Sequence, residues 1–242
     1  MTPMEKGVYT FRARTYECGP DGFVSMPSVC NWLQEAASIH AEQLGFSKTD
    51  FDAAGENISW VLTRLVVKMD AFPKWEDEVQ VVTFPRGGRK IVAWRDFEIF
   101  ASDGSRLGAA SSEWMIIDLA TRKIVAVPEH VFSCLDPSVE PVLGADPFTP
   151  RLKFPEGEGV GEPLRFRAQR SHIDLNGHVN NVHYIEWMLE SLERPCRLLE
   201  VVFRSETMAG DEILVCSAQA GGAAYHRVSS PDGRDHAIGK TS

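Results

Sequence analysis

The sequence predicts an α+β fold made of two copies of one unit, each with a main helix and an antiparallel sheet. Two segments have the periodicity of amphipathic helices, and most other segments have the β-branched and aromatic residues typical of strands. The two helical segments also resemble each other, since Trp32-Leu-Gln-Glu35 reappears 155 residues later as Trp187-Met-Leu-Glu190. At the same spacing Asp21-Gly-Phe-Val corresponds to Asn176-Gly-His-Val.

Composition limits the function classes. The chain has 242 residues and 43% hydrophobic content, which is enough for one large domain or two small ones. A net charge of −9 argues against nucleic acid or an anionic membrane as partner. No apolar run is long enough to span a membrane and no signal-peptide core is apparent, so we expect a cytoplasmic protein. The five scattered cysteines predict free thiols, without a disulfide framework or zinc site.

Each predicted helix has one apolar face. In the first, this face consists of Val29, Leu33, Ala36, Ala37, His40 and Leu44. Pro27 is a start signal and Gly45 a stop signal. In the second, Val182, Ile185, Met188, Leu189 and Leu192 face one way, and His183, Glu186, Glu190 and Glu193 face the other.

A strand-like segment precedes each helix, and several more strands follow it. Between the copies, residues 134–163 contain six of the fourteen prolines, which is typical of an extended linker. The sequence thus predicts an N-terminal domain over 1–133, a proline-rich linker over 134–163 and a C-terminal domain over 164–242.

The stretch 170–192 concentrates polar groups suited to chemistry. Asp174, Asn176 and His178 have the same parity, so in an extended segment their side chains project to one side. Three of the seven histidines lie here. In the first copy, Gly19 (or Cys18), Asp21 and Phe23 take the aligned positions. Asp, Asn and Gly before a helix are also what turn and cap chemistry favours, so a purely structural turn stays an alternative.

The helix that follows adds a second feature. Backbone N–H groups at a helix N-terminus are free to bind developing negative charge. The N–H groups near Val179 and Asn180 are therefore candidate oxyanion donors.

The motif D-x-N-x-H-V-N-N-x-x-Y-x-x-W, which begins at Asp174 and ends at Trp187, resembles the signature of acyl-acyl-carrier-protein (acyl-ACP) thioesterases. These are tandem hot-dog enzymes of plants and bacteria that release free fatty acids. The resemblance covers nearly the whole chain, including an NWLQEAA helix and an ISWVLTR strand in the first copy. It implies two tandem hot-dog domains, each an antiparallel sheet wrapped around one long helix.

The resemblance assigns catalytic roles to Asp174, Asn176 and His178, and it matches a downstream acidic residue to Glu206. Many plant members have a cysteine after that glutamate, whereas this chain has Thr207. A thiol nucleophile is thus not expected. In our interpretation Asp174 acts as general base toward water, or attacks directly. Asn176 orients the water or the carbonyl, and His178 donates to the carbonyl oxygen or shares the proton of the water.

The resemblance also implies that the first copy encloses the acyl chain. Val29, Leu33, Trp60 and Leu62 are lining candidates, with ordinary core packing as the alternative. Arg86, Arg89 and Lys90 form a basic cluster that could dock an acidic carrier protein.

The expected activity is hydrolysis of fatty acyl-ACP by a monomer or homodimer, without cofactor or metal. One alternative is an acyl-CoA thioesterase of the same fold. A non-hydrolytic acyl-thioester binding protein or a hydratase is a further alternative.

Overall fold

The computed structural model describes residues 6–133, 135, 138–144, 147–148, 151–155, 160–192 and 195–242. The chain divides into two compact units, Met1–Pro147 and Phe148–Ser242. Their boundary falls inside the stretch 134–163 that the sequence predicts as a linker, and the domain limits stay predictions. Cys134 and Glu193, which the sequence interpretation used, lie outside the described residues.

The main helix of the first unit, α1 (Met26–Gln43), lies where the periodicity predicts it. Ser25 caps its first turn by accepting the N–H of Ser28 at 3.3 Å. Gly45, with φ of +74°, follows its last turn. The expected apolar face is buried from Val29 through His40. Two short helices, α2 (Lys48–Ala53) and α3 (Glu129–Phe132), complete the helical part of the described unit.

The sheet of the first unit is antiparallel throughout its described pairs, in the order β1-β3-β4-β5-β2, with β6 beside β5. Its strands are β1 (Gly7–Arg12), β2 (Ile58–Met69), β3 (Glu78–Arg89), β4 (Val92–Ala101), β5 (Arg106–Asp118) and β6 (Ile124–Val125). On β3, the fully buried Val79 and Val81 alternate with the exposed Glu78 and Gln80. Helix α1 packs against β1 and β3.

Along the chain, the second unit again has one strand, then one main helix, then four strands. Its elements are β7 (Leu164–Arg167), α4 (Asn181–Leu189), β8 (Leu198–Phe203), β9 (Glu212–Ala220), β10 (Ala223–Ser229) and β11 (Asp235–Thr241). The strands pair antiparallel in the order β8-β11-β10-β9-β7. Helix α4 packs on β9, β10 and β11. Two units with one main helix on an antiparallel sheet confirm the predicted α+β tandem hot-dog class.

Helix α4 is shorter than the periodicity predicts. It ends at Leu189, although the predicted apolar face continues to Leu192. The Ser191 hydroxyl donates to the Met188 carbonyl at 2.9 Å, which satisfies one of the carbonyl groups left free at the helix end.

Candidate active site

The segment between β7 and α4 is a closed loop rather than the extended run that the alternation predicts. Ile173 and Val179 form an isolated antiparallel bridge, so the residues between them turn back. The Asp174 N–H donates to His178 O at 2.9 Å, and the Gly177 N–H donates to Asp174 O at 3.0 Å. Gly177 has φ of +82°, a conformation that favours glycine. The extended interpretation is therefore wrong, although the turn keeps the three polar residues in one loop.

The Asp174 carboxylate stabilises this turn. Its Oδ1 accepts the backbone N–H of Asn176 at 2.8 Å, and its Oδ2 accepts from Asn176 Nδ2 at 3.3 Å. Asp174 is half-buried, whereas Asn176 is exposed. Turn chemistry thus explains part of this pattern. Because an ionised carboxylate has about four lone-pair sites, Asp174 keeps acceptor capacity for a water molecule.

His178 and Glu206 face each other. Imidazole Nε2 lies 3.1 Å from carboxylate Oε2, and the two side chains are 25% and 43% exposed. Glu206 lies in the connection between β8 and β9, where the residues alone indicate a solvated turn. The structure instead places its carboxylate against the loop that contains Asp174. A solvent-accessible histidine paired with a carboxylate can donate or accept a proton at an incoming substrate.

The two backbone groups expected to bind an oxyanion are already occupied. The Val179 N–H donates to Thr207 O at 3.0 Å, and the Asn180 N–H donates to His172 O at 2.9 Å. The Asn180 side chain caps α4 by accepting the N–H of Val182 at 2.9 Å. The assignment of oxyanion donors to Val179 and Asn180 is therefore wrong, because each N–H already donates to a backbone carbonyl and is not available to a substrate.

The corresponding loop of the first unit identifies what is specific to the second. There the Val24 N–H donates to Pro73 O at 2.9 Å, as Val179 does to Thr207. The residue that precedes the accepting Pro73 is Phe72, and the residue that precedes the accepting Thr207 is Glu206. Phe23 corresponds in the same way to His178. Two aromatic residues thus stand where the second unit has its histidine–glutamate pair.

Aromatic rings brace the loop against α4. The His172 ring lies 4.5 Å from that of His183 and 5.6 Å from that of Trp187, measured between centroids. Burial lowers the pKa of His172, and His183 acts in the same direction. Burial raises the pKa of Tyr184 to about 12, while a hydrogen bond with Thr207 opposes this change. These shifts keep His172 and Tyr184 uncharged near neutral pH, which favours their packing against neighbouring rings.

Comparison with known families decides the identity of this arrangement. Residues 6–135 match the family model described as Acyl-ACP thioesterase N-terminal domain, and residues 158–237 match the Acyl-ACP thioesterase C-terminal domain. The chain belongs to the acyl-ACP thioesterase family.

Curated relatives agree with this membership. The chain is 34% identical over 193 residues to the chloroplastic palmitoyl-acyl carrier protein thioesterase of Gossypium hirsutum, an alignment that covers 76% of this chain and 46% of the relative. It is 31% identical over 203 residues to the chloroplastic oleoyl-acyl carrier protein thioesterase of Coriandrum sativum, covering 76% and 53%. The chain thus spans about half the length of the curated relatives it matches.

Solved structures share the fold over almost the whole chain. An acyl-ACP thioesterase from Bacteroides thetaiotaomicron superposes with a TM-score of 0.85 and 26% identity, over 98% of this chain and 96% of that one. The 12:0-ACP thioesterase from Umbellularia californica gives a TM-score of 0.83 at 22% identity, over 98% and 96%. Both support the assignment of two tandem hot-dog units.

The three residues of the basic cluster expected to dock a carrier protein differ in their exposure to solvent. Arg86 is 7% exposed, and its Nε lies 3.0 Å from the Oδ2 of the fully buried Asp96. Its guanidinium is therefore committed inside the first unit, and the docking prediction is wrong for Arg86. Arg89 and Lys90 are exposed, with the Arg89 guanidinium 5.5 Å from the Trp94 ring.

The residues expected to line an acyl pocket belong to the packed core of the first unit. Val29, Leu33 and Leu62 are at most 3% exposed. Trp60 is partly buried against Phe51, and its Nε1 donates to the Phe46 carbonyl at 2.8 Å. Two clefts of about 80 and 540 Å³ that we describe are lined by other residues. The acyl-lining role of the four residues stays a prediction.

The four described cysteines are not part of the loop that contains Asp174. Cys18, Cys30, Cys196 and Cys216 are free thiols, and burial raises the pKa of Cys196 to about 11. Thr207, which follows Glu206, is fully buried. Across the described residues we find no cluster of three or more His, Cys, Asp or Glu side chains that could hold a metal ion. In the same residues no helix is long and apolar enough to span a membrane.

Sequence reasoning overlooked one residue next to the site. His236 on β11 is 1% exposed, and its Nδ1 lies 3.0 Å from the hydroxyl oxygen of Ser205, the residue before Glu206. No motif spacing indicates this contact, because the two residues lie in different strands or connections of the sheet. An alignment of the two copies along β5 and β11 could have found it.

Proposed function

We propose that this chain hydrolyses the thioester of fatty acyl-ACP and releases a free fatty acid. The observation that carries the proposal is the His178–Glu206 pair, with 3.1 Å between Nε2 and Oε2, beside the loop of Asp174. Family membership and the names of the relatives support the reaction class and the carrier-bound substrate. In the first unit aromatic residues replace both members of the pair, which supports a single active site per chain.

In the proposed mechanism Asp174 accepts a proton from a water molecule whose oxygen attacks the thioester carbonyl carbon. The attack gives a tetrahedral oxyanion, and its collapse breaks the C–S bond. The fatty acid forms, and the proton passes from Asp174 to the departing thiolate. Because a thiolate is already a good leaving group, strong acid assistance to the sulfur is not required. Asn176, which Asp174 holds through two hydrogen bonds, orients the water or the carbonyl.

His178 supplies the donor for the oxyanion in this scheme. The Glu206 carboxylate, whose Oε2 lies 3.1 Å from imidazole Nε2, orients the ring for this role. This assignment replaces the Val179 and Asn180 N–H groups, which donate to backbone carbonyls elsewhere. Electrostatic stabilisation of an oxyanion by a fixed donor is typically worth about 100- to 1,000-fold in rate.

We further propose that the first unit shelters the acyl chain near Val29, Leu33, Trp60 and Leu62, and that Arg89 and Lys90 contact the acidic carrier. The exposure of these two cations supports the contact, since cations attract an acidic partner over about 10 Å at moderate salt. A cytoplasmic location fits the four described free thiols. The active species in this proposal is a monomer or homodimer.

The test is a comparison of matched carrier and CoA thioesters. The purified chain is mixed with acyl-ACP and acyl-CoA of the same chain lengths, thiol release is followed, and products are identified by mass spectrometry. We expect free acid, with a higher kcat/KM on acyl-ACP. A higher kcat/KM on acyl-CoA would replace the carrier assignment. An intact thioester whose mass changes by one water would identify a hydratase, and unchanged thioester would identify a binding protein.

A further inference from the structure

We propose that His236 is a positioning residue for Glu206, holding the connection between β8 and β9 so that the Glu206 carboxylate stays within hydrogen-bond distance of His178. This inference rests on the proposed function, and it adds a residue about which the signature motif says nothing. The carboxylate is 43% exposed, so the anchoring of its backbone contributes to its position.

Glu206 lies between two anchored neighbours. On one side, Thr207 O accepts the Val179 N–H at 3.0 Å, which joins this connection to the loop that contains Asp174. On the other side, His236 Nδ1 lies 3.0 Å from Ser205 Oγ and 3.3 Å from Ser205 O. Strand β11 adds a second attachment, because the Arg204 N–H donates to His236 O at 2.8 Å. Without the imidazole, one of the two anchors would lose its side-chain contact.

The hydrogen bonds determine which ring nitrogen bears the proton. The Ser205 hydroxyl donates to Asp235 O at 2.8 Å, so toward the imidazole it acts as an acceptor. Ser205 O is also an acceptor. His236 is therefore the neutral tautomer with the proton on Nδ1. Burial lowers its pKa, against the Ser205 and Glu206 carbonyl groups, while Arg234 lowers it further and Asp211 raises it.

Burial of the His236 imidazole lowers the stability of the fold, which argues that this side chain has a function. Among the described residues no hydrogen-bond partner reaches His236 Nε2, although the atom is buried. A buried polar atom without a partner destabilises the folded state, because it has given up its hydrogen bond to water. A leucine of similar size would avoid that cost. The retained imidazole thus stabilises something that a leucine would not.

The first unit contains this leucine. Its equivalent of His236 is Leu107, since the N–H groups of Asp70 and Ala71 donate to Leu107 O as those of Arg204 and Ser205 donate to His236 O. Leu107 is 8% exposed. The unit that has Phe72 in place of Glu206 therefore has an apolar residue in place of His236. Imidazole and carboxylate are present together in one unit and replaced together in the other.

The experiment compares His236→Leu with His236→Asn in the full chain, each alone and combined with Glu206→Gln. We expect His236→Leu to lower kcat roughly 10- to 100-fold with little change in KM, since small misplacements of catalytic groups have effects of this size. Asparagine can donate through Nδ2 from nearly the position of Nδ1, so His236→Asn should recover most of kcat. In the Glu206→Gln background, His236→Leu should cause no further loss.

The outcomes separate the inference from the proposed function. Wild-type turnover in Glu206→Gln alone would remove Glu206 from the mechanism and the positioning role of His236 with it, whereas the absence of thiol release from acyl-ACP by the wild-type chain would overturn the proposed function. If Glu206→Gln is impaired while His236→Leu keeps the wild-type kcat, only the positioning role of His236 fails. It also fails if the two losses multiply, or if the loss in His236→Leu follows the unfolded fraction measured in the same buffer. Non-additive losses with asparagine rescue support it.

Discussion

The loops that precede α1 and α4 have the same backbone and different chemistry. Each contains one turn of 3-10 helix, at Thr15–Glu17 and Arg170–His172, followed by an isolated bridge, between Cys18 and Val24 or between Ile173 and Val179. The five backbone hydrogen bonds described within residues 169–180 each have a counterpart 155 residues earlier, within residues 14–25. The glycine of each turn has nearly the same φ, +80° and +82°.

The side chains in the two loops differ in a way that isolates function. Where the second loop has Asp174 and His178, the first has Gly19 and Phe23. The first loop still uses an acidic side chain for its turn, since Asp21 Oδ1 accepts the Phe23 N–H at 3.1 Å. A carboxylate in such a turn is therefore structural in both units. The additional histidine and glutamate distinguish the unit proposed to be catalytic, and matched substitutions in the two loops can separate the roles.

The largest effect is expected from Asp174→Asn. Asparagine keeps an oxygen for the Asn176 N–H and so preserves the turn, but it removes the proposed base. We expect kcat to fall about 100- to 10,000-fold, the usual contribution of a general base, with an unchanged unfolding midpoint. Thiol release from acyl-ACP measures the first quantity and thermal unfolding the second.

Asp21→Asn is the matched control, because it makes the same change in the turn of the other unit. Its turnover should remain at the wild-type level. Equal losses in the two variants would mean that the turn alone matters and that Asp174 has no chemical role.

Acid is expected to act on the second unit through His226. Both units have a polar cluster between helix and sheet: Arg95 contacts His40 and Thr83 in the first, and His226 contacts Ser217 and Thr241 in the second. Burial lowers the pKa of Arg95 to about 10 and that of the fully buried His226 to about 4. Between pH 7 and pH 4 Arg95 keeps its positive charge in both states of the protein. His226, in contrast, takes up a proton in the unfolded state while it stays neutral in the folded state.

Because the folded pKa of His226 lies below its unfolded value of 6.5, the stability it contributes is present above pH 6.5 and is lost as the pH falls toward 4. The loss should reach about 3 kcal/mol. Urea unfolding at several pH values measures it. His226→Gln, which is uncharged at every pH, should flatten the curve between pH 6.5 and 4. An unchanged pH dependence in that variant would assign the acid sensitivity to other groups.

The next effect concerns the glutamate that has no counterpart in the first unit. Glu206→Gln should lower kcat about 10- to 100-fold, since a hydrogen bond to a charged group is worth about 1.5–3 kcal/mol. Glu186→Gln is a control of the same kind, because Glu186 Oε2 lies 2.6 Å from His183 Nδ1 on α4. That exposed pair should contribute little to turnover. Equal losses in both variants would point to the net charge of the unit as the cause.

The sequence was sufficient for the fold class and the duplication, because helix periodicity and the repeated Trp-x-x-Glu are local signals. The catalytic candidates rest on the motif and its resemblance, and they stay predictions. It failed where long-range packing decides. The alternation of Asp174, Asn176 and His178 indicates a strand, but the bridge between Ile173 and Val179 makes it a turn. Arg86 reads as a surface cation until Asp96 on the neighbouring strand is seen beside it. His236 has no local signal, since its partner lies across the sheet.

The smallest effect comes from Gly22 and Gly177, and it tests whether the two loops are equal as structures. Neither glycine has atoms within 4 Å of an added Cβ, so a substitution meets no steric obstacle and changes only the backbone preference. Since both have positive φ, Gly22→Ala and Gly177→Ala should each destabilise by about 1 kcal/mol. Turnover should fall only in Gly177→Ala, where the strained turn contains the proposed base. Denaturant unfolding and thiol release measured on both variants decide this. Equal stability losses with unequal turnover would show that the second loop is the scaffold of the first with chemistry added, whereas equal turnover losses would mean that both loops contribute to one site.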